Sequence, residues 1–254
     1  MARSPHSGAL VVIPTYNEAE NIEPIVERTL AATSGTDVLI VDDNSPDGTG
    51  DVGDKLAELH DEVHVLHRAR KEGFGVAYRA GFGWALAHGY EAVVEMDADG
   101  SHQPEDLPRL LDRLDDADIA MGSRWVPGGR VENWPWRRTV LSRSGNLYVR
   151  RALGLKLRDA TGGFRAFRRE ALERLNCDGL DSRGYCFQVD LARRAEDAGM
   201  SAVEVPIVFR ERERGESKMS PAVIMESLWR ITAWALVRRW RQARGFLAHA
   251  LHRG

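Results

Sequence analysis

The 254-residue sequence predicts an α/β fold, a mostly parallel sheet flanked by helices, and three observations carry that prediction. Short apolar runs alternate with segments of helical period through the first hundred residues, in the order β-α-β-α-β-α-β. Such alternation builds a parallel sheet through right-handed crossovers. Each apolar run is too short for a helix and stops at a turn-rich stretch. The first, second and fourth runs open into loops bearing carboxylates, at the edge where open α/β sheets keep their ligand crevice.

Ala9 to Ile13 reads as the first strand, stopped by Pro14, and Ile22 to Leu30 has helical period behind Asn21. The loop between them is Pro14-Thr15-Tyr16-Asn17-Glu18. Val38 to Val41 is the second strand and ends on Asp42-Asp43-Asn44-Ser45-Pro46-Asp47-Gly48-Thr49, before a helix through Leu59. Val63 to Leu66 is the third, followed by a charged stretch, Arg68 to Glu72, and a helix from Val76 to His88. Gly73-Phe74-Gly75-Val76-Ala77-Tyr78 is no dinucleotide fingerprint, because Tyr78 replaces its third glycine and the loop follows the third strand.

Ala92-Val93-Val94 is the fourth strand and closes on Glu95-Met96-Asp97-Ala98-Asp99, then Gly100-Ser101-His102-Gln103-Pro104. Two carboxylates one residue apart suit Mg²⁺ or Mn²⁺, which are held by one or two carboxylates together with substrate phosphates. That implies a phosphorylated substrate. The same residues would also serve as caps for the helix that Pro104 begins, and D-x-D alone does not decide between the two.

A helix over Glu105 to Leu114 and a strand over Ile119 to Met121 lead to Gly122-Ser123-Arg124. Trp125 to Arg143 holds Arg130, Arg137, Arg138 and Arg143 with Gly128, Gly129, Trp134 and Trp136. This composition fits a mobile anion-binding loop, or equally a solvated basic loop with two buried tryptophans. Helical stretches are expected over Ser144 to Leu153, Arg168 to Leu175 and Gln188 to Ala198, with the glycine turn Asp159 to Arg165 between the first two. Ala202 to Val205 is a strand stopped by Pro206. The alternating charges from Arg210 to Arg214 read as a self-paired run, and Gly215-Glu216-Ser217-Lys218 lacks P-loop spacing. Beyond Pro221, Trp229, Ala233, Leu236, Val237 and Trp240 share one helical face, with Arg230, Arg238 and Arg241 away from it. Such a helix lies on an anionic membrane surface or packs on the core, and the sequence supports both.

Composition sets the outer bounds. Hydrophobic content of 43% and charged content of 29% are those of a globular chain, and no apolar run is long enough to span a bilayer. The first residues carry no apolar signal segment, which predicts a cytoplasmic location. Cys177 and Cys186 stand outside any metal or redox spacing and read as ordinary thiols. Net charge is −3, yet residues 227–254 hold six Arg, two His and no carboxylate, a locally basic tail. Two units are expected, 1–220 and a basic amphipathic tail over 221–254.

Pro14-Thr15-Tyr16-Asn17-Glu18, Asp42 to Thr49, Asp97-Ala98-Asp99, Gly122-Ser123-Arg124, Thr161-Gly162-Gly163-Phe164-Arg165 and Gly215-Glu216-Ser217-Lys218 stand in one order. In series they resemble the polyprenol-phosphate (dolichol-phosphate) mannose synthases, family-2 glycosyltransferases of GT-A fold. The resemblance runs from about residue 9 to 220. It implies inverting transfer of mannose from GDP-mannose to a polyprenyl phosphate at the cytoplasmic membrane face. It also implies that Pro14, Tyr16, Glu18, Val41 and Asp43 hold guanosine, and that Asp97, Ala98 and Asp99 frame the diphosphate and a Mg²⁺ or Mn²⁺ ion. Arg124, Arg138, Arg212 and Lys218 look like the family's phosphate-contacting cations. Ser101 stands where some relatives have the glutamine that completes the metal site, which leaves the third protein ligand open. Some members carry C-terminal transmembrane helices. This chain lacks them, so it is expected to reach its lipid through its own surface or an integral membrane partner. Rival readings are a family-2 transferase using UDP-glucose, GDP-glucose or UDP-N-acetylglucosamine, a nucleotidyltransferase, and a non-enzymatic membrane-peripheral adaptor. No nucleic-acid partner is expected.

Overall fold

The computed structural model describes residues 6–177, 185–212, 225–238 and 240. Its strands are β1 (Ala9–Thr15), β2 (Thr36–Asp42), β3 (Val63–His67), β4 (Ala92–Glu95), β5 (Ile119–Ser123), β6 (Arg130–Glu132), β7 (Arg165–Arg168), β8 (Ala202–Pro206) and β9 (Val208–Arg210). The helices are α1 (Ala19–Ala32), α2 (Thr49–Leu59), α3 (Phe74–Ala87), α4 (Leu107–Leu111), α5 (Trp136–Leu153), α6 (Arg169–Leu175) and α7 (Tyr185–Asp197). Residues 225–238 form a further helix, α8.

Seven strands form one sheet in the order β3-β2-β1-β4-β7-β5-β8, and β6 pairs with β9 in a small separate ribbon. All pairings in the large sheet are parallel except those of β7, which runs antiparallel between β4 and β5. The expected turn at Asp159 to Arg165 therefore leads into a strand before the helix that follows. Its four residues begin and end on arginine, so no apolar alternation marks it.

Side chains of successive strand residues go to opposite faces and build two cores. Leu10, Val12, Leu39 and Val41 pack under α3, α5, α6 and α7, while Val11, Ile13, Val38 and Ile40 pack against α1, α2 and α4. Helix α3 lies so close that a Cβ at Gly81 would come within 2.4 Å of Val12. Any larger residue there would force helix and strand apart.

Two expectations change. The stretch Trp125 to Arg143 is irregular only as far as Pro135, apart from β6, and Trp136 already opens α5, so Arg137, Arg138 and Arg143 are helical. Proline's fixed φ prepares that start. Nor are both tryptophans buried, since Trp134 is half-buried and Trp136 is 70% exposed. In α8, the buried residues are Ile231 and Ala235, which join the α3/α5/α7 core. The face of Trp229, Leu236, Val237 and Trp240 stays exposed.

Candidate active site

The site forms where β4 ends. Asp97 and Asp99 sit beyond Glu95 on a turn in which Gly100 takes φ +73°, and the Ser101 N–H donates to Asp99 Oδ1 at 3.1 Å. The Asp97 N–H donates to His102 Nδ1 at 3.1 Å, so the ring proton belongs on Nε2. His102 is stacked on Phe164 and edged by Phe209, and burial lowers its pKa to about 4. It is neutral at physiological pH and holds the loop, as a residue supporting the site rather than a base. On the other side, the Tyr78 hydroxyl donates to Asp97 Oδ1 at 3.3 Å, from a ring stacked on Phe187.

A buried layer stands behind the carboxylates. Glu95 accepts from Gln188 Nε2 at 3.0 Å, and burial raises its pKa to about 8 against the pull of Arg165. Arg165, 1% exposed, donates to the carbonyls of Gly162 at 2.8 Å, Gln188 at 2.9 Å and Ala160 at 2.8 Å. Those bonds fix the wall formed by Thr161, Gly162 and Gly163. The wall is tightest at Gly162, where a Cβ would meet the Gly122 carbonyl at 3.1 Å, while Gly163 faces the site with Asp97 Oδ2 at 4.0 Å from its Cβ position.

In front lies a cavity of about 390 Å³. Asp97, Asp99, Ser101, Arg124, Arg138 and Arg212 all line it, so the structure brings six of the expected site residues together. Their charges are engaged to different degrees. The Arg124 guanidinium is clamped by Asp159 at 2.7 and 2.6 Å, with both side chains buried. Burial pushes the Asp159 carboxyl upward, but Arg124 outweighs it and the pKa is lowered. Arg138 stacks over Trp134 at 4.0 Å and pairs with Glu211. Arg212 lies 3.3 Å from Asp99. Opposite these groups the wall turns apolar, with Leu141, Tyr148 and Val149 of α5 facing Leu228 and Ile231 of α8.

The loops after β1 and β2 form a neighbouring crevice. Asp47 accepts from the Ala19 and Thr49 N–H groups, both at 3.1 Å, and so satisfies the start of α1 and of α2 with one carboxylate. Asp42 accepts from Thr15 Oγ1 and from the Ser45 N–H, and the Asp43 N–H donates to the Thr15 carbonyl. Pro14, Tyr16 and Glu18 are half-buried at this rim, and Lys71 Nζ sits 3.6 Å over the Tyr16 ring. Asp43 is buried and paired with Arg68. Val41 is fully buried with its side chain in the core, so it offers the crevice no side-chain surface. Ala98 is likewise buried, and Lys218 lies outside the described residues.

Among the described residues, no cluster of three His, Cys, Asp or Glu side chains could hold a metal. The local chemistry nonetheless suits a hard cation. Beside the two carboxylates, Ser101 Oγ is buried with no hydrogen-bond partner, an oxygen donor lacking its acceptor or cation. Sequence reasoning missed Tyr78, Asp159, Gln188 and Glu211. Only Asp159, preceding the glycine turn, carried a local signal.

A mostly parallel seven-stranded sheet with flanking helices and a paired-carboxylate loop closing its fourth strand is the architecture of the GT-A glycosyltransferases. Comparison with known proteins makes this particular. Residues 10–175 match the model of glycosyl transferase family 2. The polyprenol monophosphomannose synthase of Mycolicibacterium smegmatis is 54% identical over 95% of this chain and 92% of its own. The undecaprenyl-phosphate mannosyltransferase of Micrococcus luteus is 51% identical over 94% and 98%. The dolichol-phosphate mannosyltransferase of Pyrococcus furiosus is 36% identical over 88% and 63%. Among solved structures, glucosyl-3-phosphoglycerate synthase from Mycobacterium tuberculosis, in complex with Mn²⁺, UDP and glucosyl-3-phosphoglycerate, aligns with a TM-score of 0.65. It is 20% identical, covering 92% of this chain and 80% of that one, a likeness of fold. The chain belongs to glycosyl transferase family 2, in its polyprenol-phosphate mannose synthase branch.

Proposed function

We propose that this enzyme transfers mannose from GDP-mannose to a polyprenyl monophosphate, with inversion at the anomeric carbon. The observation that carries the reading is the two-sided cavity: carboxylates and arginines on one wall, and the apolar side chains of α5 and α8 on the other. An acceptor with an anionic head and a hydrocarbon tail has those two halves. The names of the close relatives support the same acceptor and sugar.

In this reading Pro14, Tyr16, Glu18 and Asp43 border guanosine, and the buried Val41 shapes the floor through its backbone. Asp97 and Asp99, with Ser101 Oγ at hand, would hold Mg²⁺ or Mn²⁺, which supplies charge stabilisation to the departing diphosphate. Arg212 leaves Asp99 for the donor phosphates, and Lys218 is a second cation assigned to them. Arg138 exchanges Glu211 for the acceptor phosphate, while Arg124, held by Asp159, contributes its positive field from a fixed place. A phosphate monoester is already ionised near neutral pH, so no general base is needed, and the neutral His102 is consistent with that. An acceptor phosphate oxygen attacks the anomeric carbon as the bond to the diphosphate breaks, and GDP leaves with the electron pair.

No helix among the described residues is long and apolar enough to cross a membrane. The exposed Trp229, Leu236 and Val237 of α8 and Trp240 beyond it, with Trp136, Val140 and Leu141 of α5, support peripheral docking on the cytoplasmic face, alone or beside an integral membrane partner. The 221–254 segment thus acts as the membrane-facing part of the catalytic unit.

The test incubates the protein with radiolabelled GDP-mannose, a polyprenyl phosphate and Mg²⁺ or Mn²⁺, with and without EDTA, and counts label in the organic phase. Metal-dependent labelling, abolished in Asp99→Ala, is the expected result. Labelling from UDP-glucose but not GDP-mannose would sink the donor assignment.

A further inference from the structure

Helix α5 has a second flank. Turned away from the catalytic cavity, a smaller one of about 240 Å³ is lined by Trp125, Arg143, Asn146, Leu147, Arg150 and Arg158. Between Glu132 and Asp159 the chain holds six arginines, one lysine and no carboxylate. Three of those arginines meet here, and among the described residues no salt bridge neutralises Arg143, Arg150 or Arg158. Two carboxylates stand close by: Asp159 is paired with Arg124, and Glu204 accepts from the backbone N–H groups of Arg158 and Asp159. An uncompensated cluster of guanidinium groups in a concave site is a place for a phosphate.

Two further atoms point to a ligand. The Trp125 indole N–H is buried and has no acceptor, although the ring lies 4.8 Å under the Arg143 guanidinium. Asn146, 3% exposed, spends its amide N–H groups on the Ser142 carbonyl and Thr161 Oγ1, and its Oδ1 is buried without a donor. Buried polar groups of this kind cost stability unless a partner satisfies them. An anion with a neighbouring hydroxyl would satisfy both, its oxygens taking the indole and guanidinium protons and its hydroxyl donating to Asn146.

The setting selects the source of that anion. Leu147 closes the rim of the pocket, and it belongs to the exposed apolar ridge of Trp136, Val140, Leu141 and Tyr148 along the outer face of α5. A phosphate entering beside such a ridge comes with acyl chains to cover it. We propose that this pocket binds the headgroup of an anionic, hydroxyl-bearing phospholipid, and so fixes how the enzyme sits on its membrane. The inference rests on the membrane-facing reading of α5 and adds a lipid site separate from that of the acceptor. One helix then presents two phosphate sites, the reacting lipid on one flank and a non-reacting anchor lipid on the other.

Sedimentation with phosphatidylcholine vesicles, with and without phosphatidylglycerol, tests this. The full chain should prefer the phosphatidylglycerol vesicles. Arg150→Gln/Arg158→Gln should weaken that binding on the order of 25-fold at low salt, from roughly fivefold per arginine near an anionic surface. Binding to neutral vesicles and turnover of a detergent-dispersed acceptor should not change. Arg137→Gln/Arg151→Gln removes the same charge outside the pocket. An equal loss there would show diffuse attraction and overturn the site. Trp125→Phe, which keeps an aromatic face but not the indole N–H, should weaken phosphatidylglycerol binding severalfold. Wild-type binding by the Arg150/Arg158 variant would also overturn it. Vesicle binding is read without turnover, so failure of the proposed reaction is seen separately in the labelling assay.

Discussion

The two halves of the crevice use their carboxylates differently. After β1 and β2, Asp42 and Asp47 are spent on backbone N–H groups and hydroxyls, which lock two loops to each other and to the starts of two helices. Around the cavity, Asp159, Glu211 and Asp99 each face an arginine. Backbone partners cannot be exchanged without unfolding the loop, whereas an arginine released from one carboxylate is ready for a phosphate. The first half is preorganised, and the second is poised for exchange. Burial grades that exchange: the Arg124–Asp159 side chains are 8% and 0% exposed, the Arg138–Glu211 side chains 28% and 30%.

The largest effect should come from breaking the pair that does not exchange. Asp159→Asn leaves Arg124 buried without its counter-charge, and losing one partner of a buried pair costs about 3–5 kcal/mol. Denaturant unfolding should show that loss at neutral pH. The acid limb should change as well. The Asp159 carboxyl is held below its ordinary value of 3.8 in the folded state. Its stabilisation is therefore present above that value and lost as the pH falls through the lowered one. The variant should lack that part of the acid transition. An unchanged denaturation midpoint would show that Arg124 has another counter-ion.

On the preorganised side, Asp47→Ala removes one acceptor from two helix starts, an effect of about 1 kcal/mol for capping groups. Loosening both loops should also raise the KM for the sugar nucleotide severalfold, with kcat nearly unchanged because no reacting atom is touched. A fall in kcat at constant KM would place Asp47 in the chemistry instead.

How much of this was legible follows from how local each signal is. The β1 and β2 loops could be read because Pro14 to Glu18 and Asp42 to Thr49 are contiguous and their bonds span strand ends that pair directly. Asp97 and Asp99 were legible for the same reason. Arg138 was expected at the site but not on a helix, since α5 is lined on two flanks and exposed on a third, which erases the single apolar stripe that marks a helix. Tyr78, Gln188 and Glu211 reach the site from 19, 93 and 73 residues away in their bonds to Asp97, Glu95 and Arg138, and no local pattern encodes such meetings. The tail's helical period was legible, but which covering its faces meet was not: the broad face bearing Trp229 and Trp240 is exposed, and Ile231 and Ala235 do the packing. Periodicity locates a face and does not say whether protein or lipid covers it.

The smallest effect tests the exchange itself. Glu211 is held near Arg138 by the backbone, through its N–H bond to the Glu132 carbonyl, so under the proposed role of Arg138 its carboxylate competes with the incoming phosphate. A partly exposed ion pair is worth about 0–1 kcal/mol, so Glu211→Gln should lower the KM for the polyprenyl phosphate by up to about fivefold. The gain should shrink as salt is raised, because screening weakens the competitor in the wild type. The KM for GDP-mannose should stay constant, since Arg212 and Asp99 form the other pair. A rise in the acceptor KM would mean that Glu211 orients Arg138 for the phosphate instead of shielding it. The cavity would then be preorganised on both sides, and the contrast between its halves would reduce to burial alone.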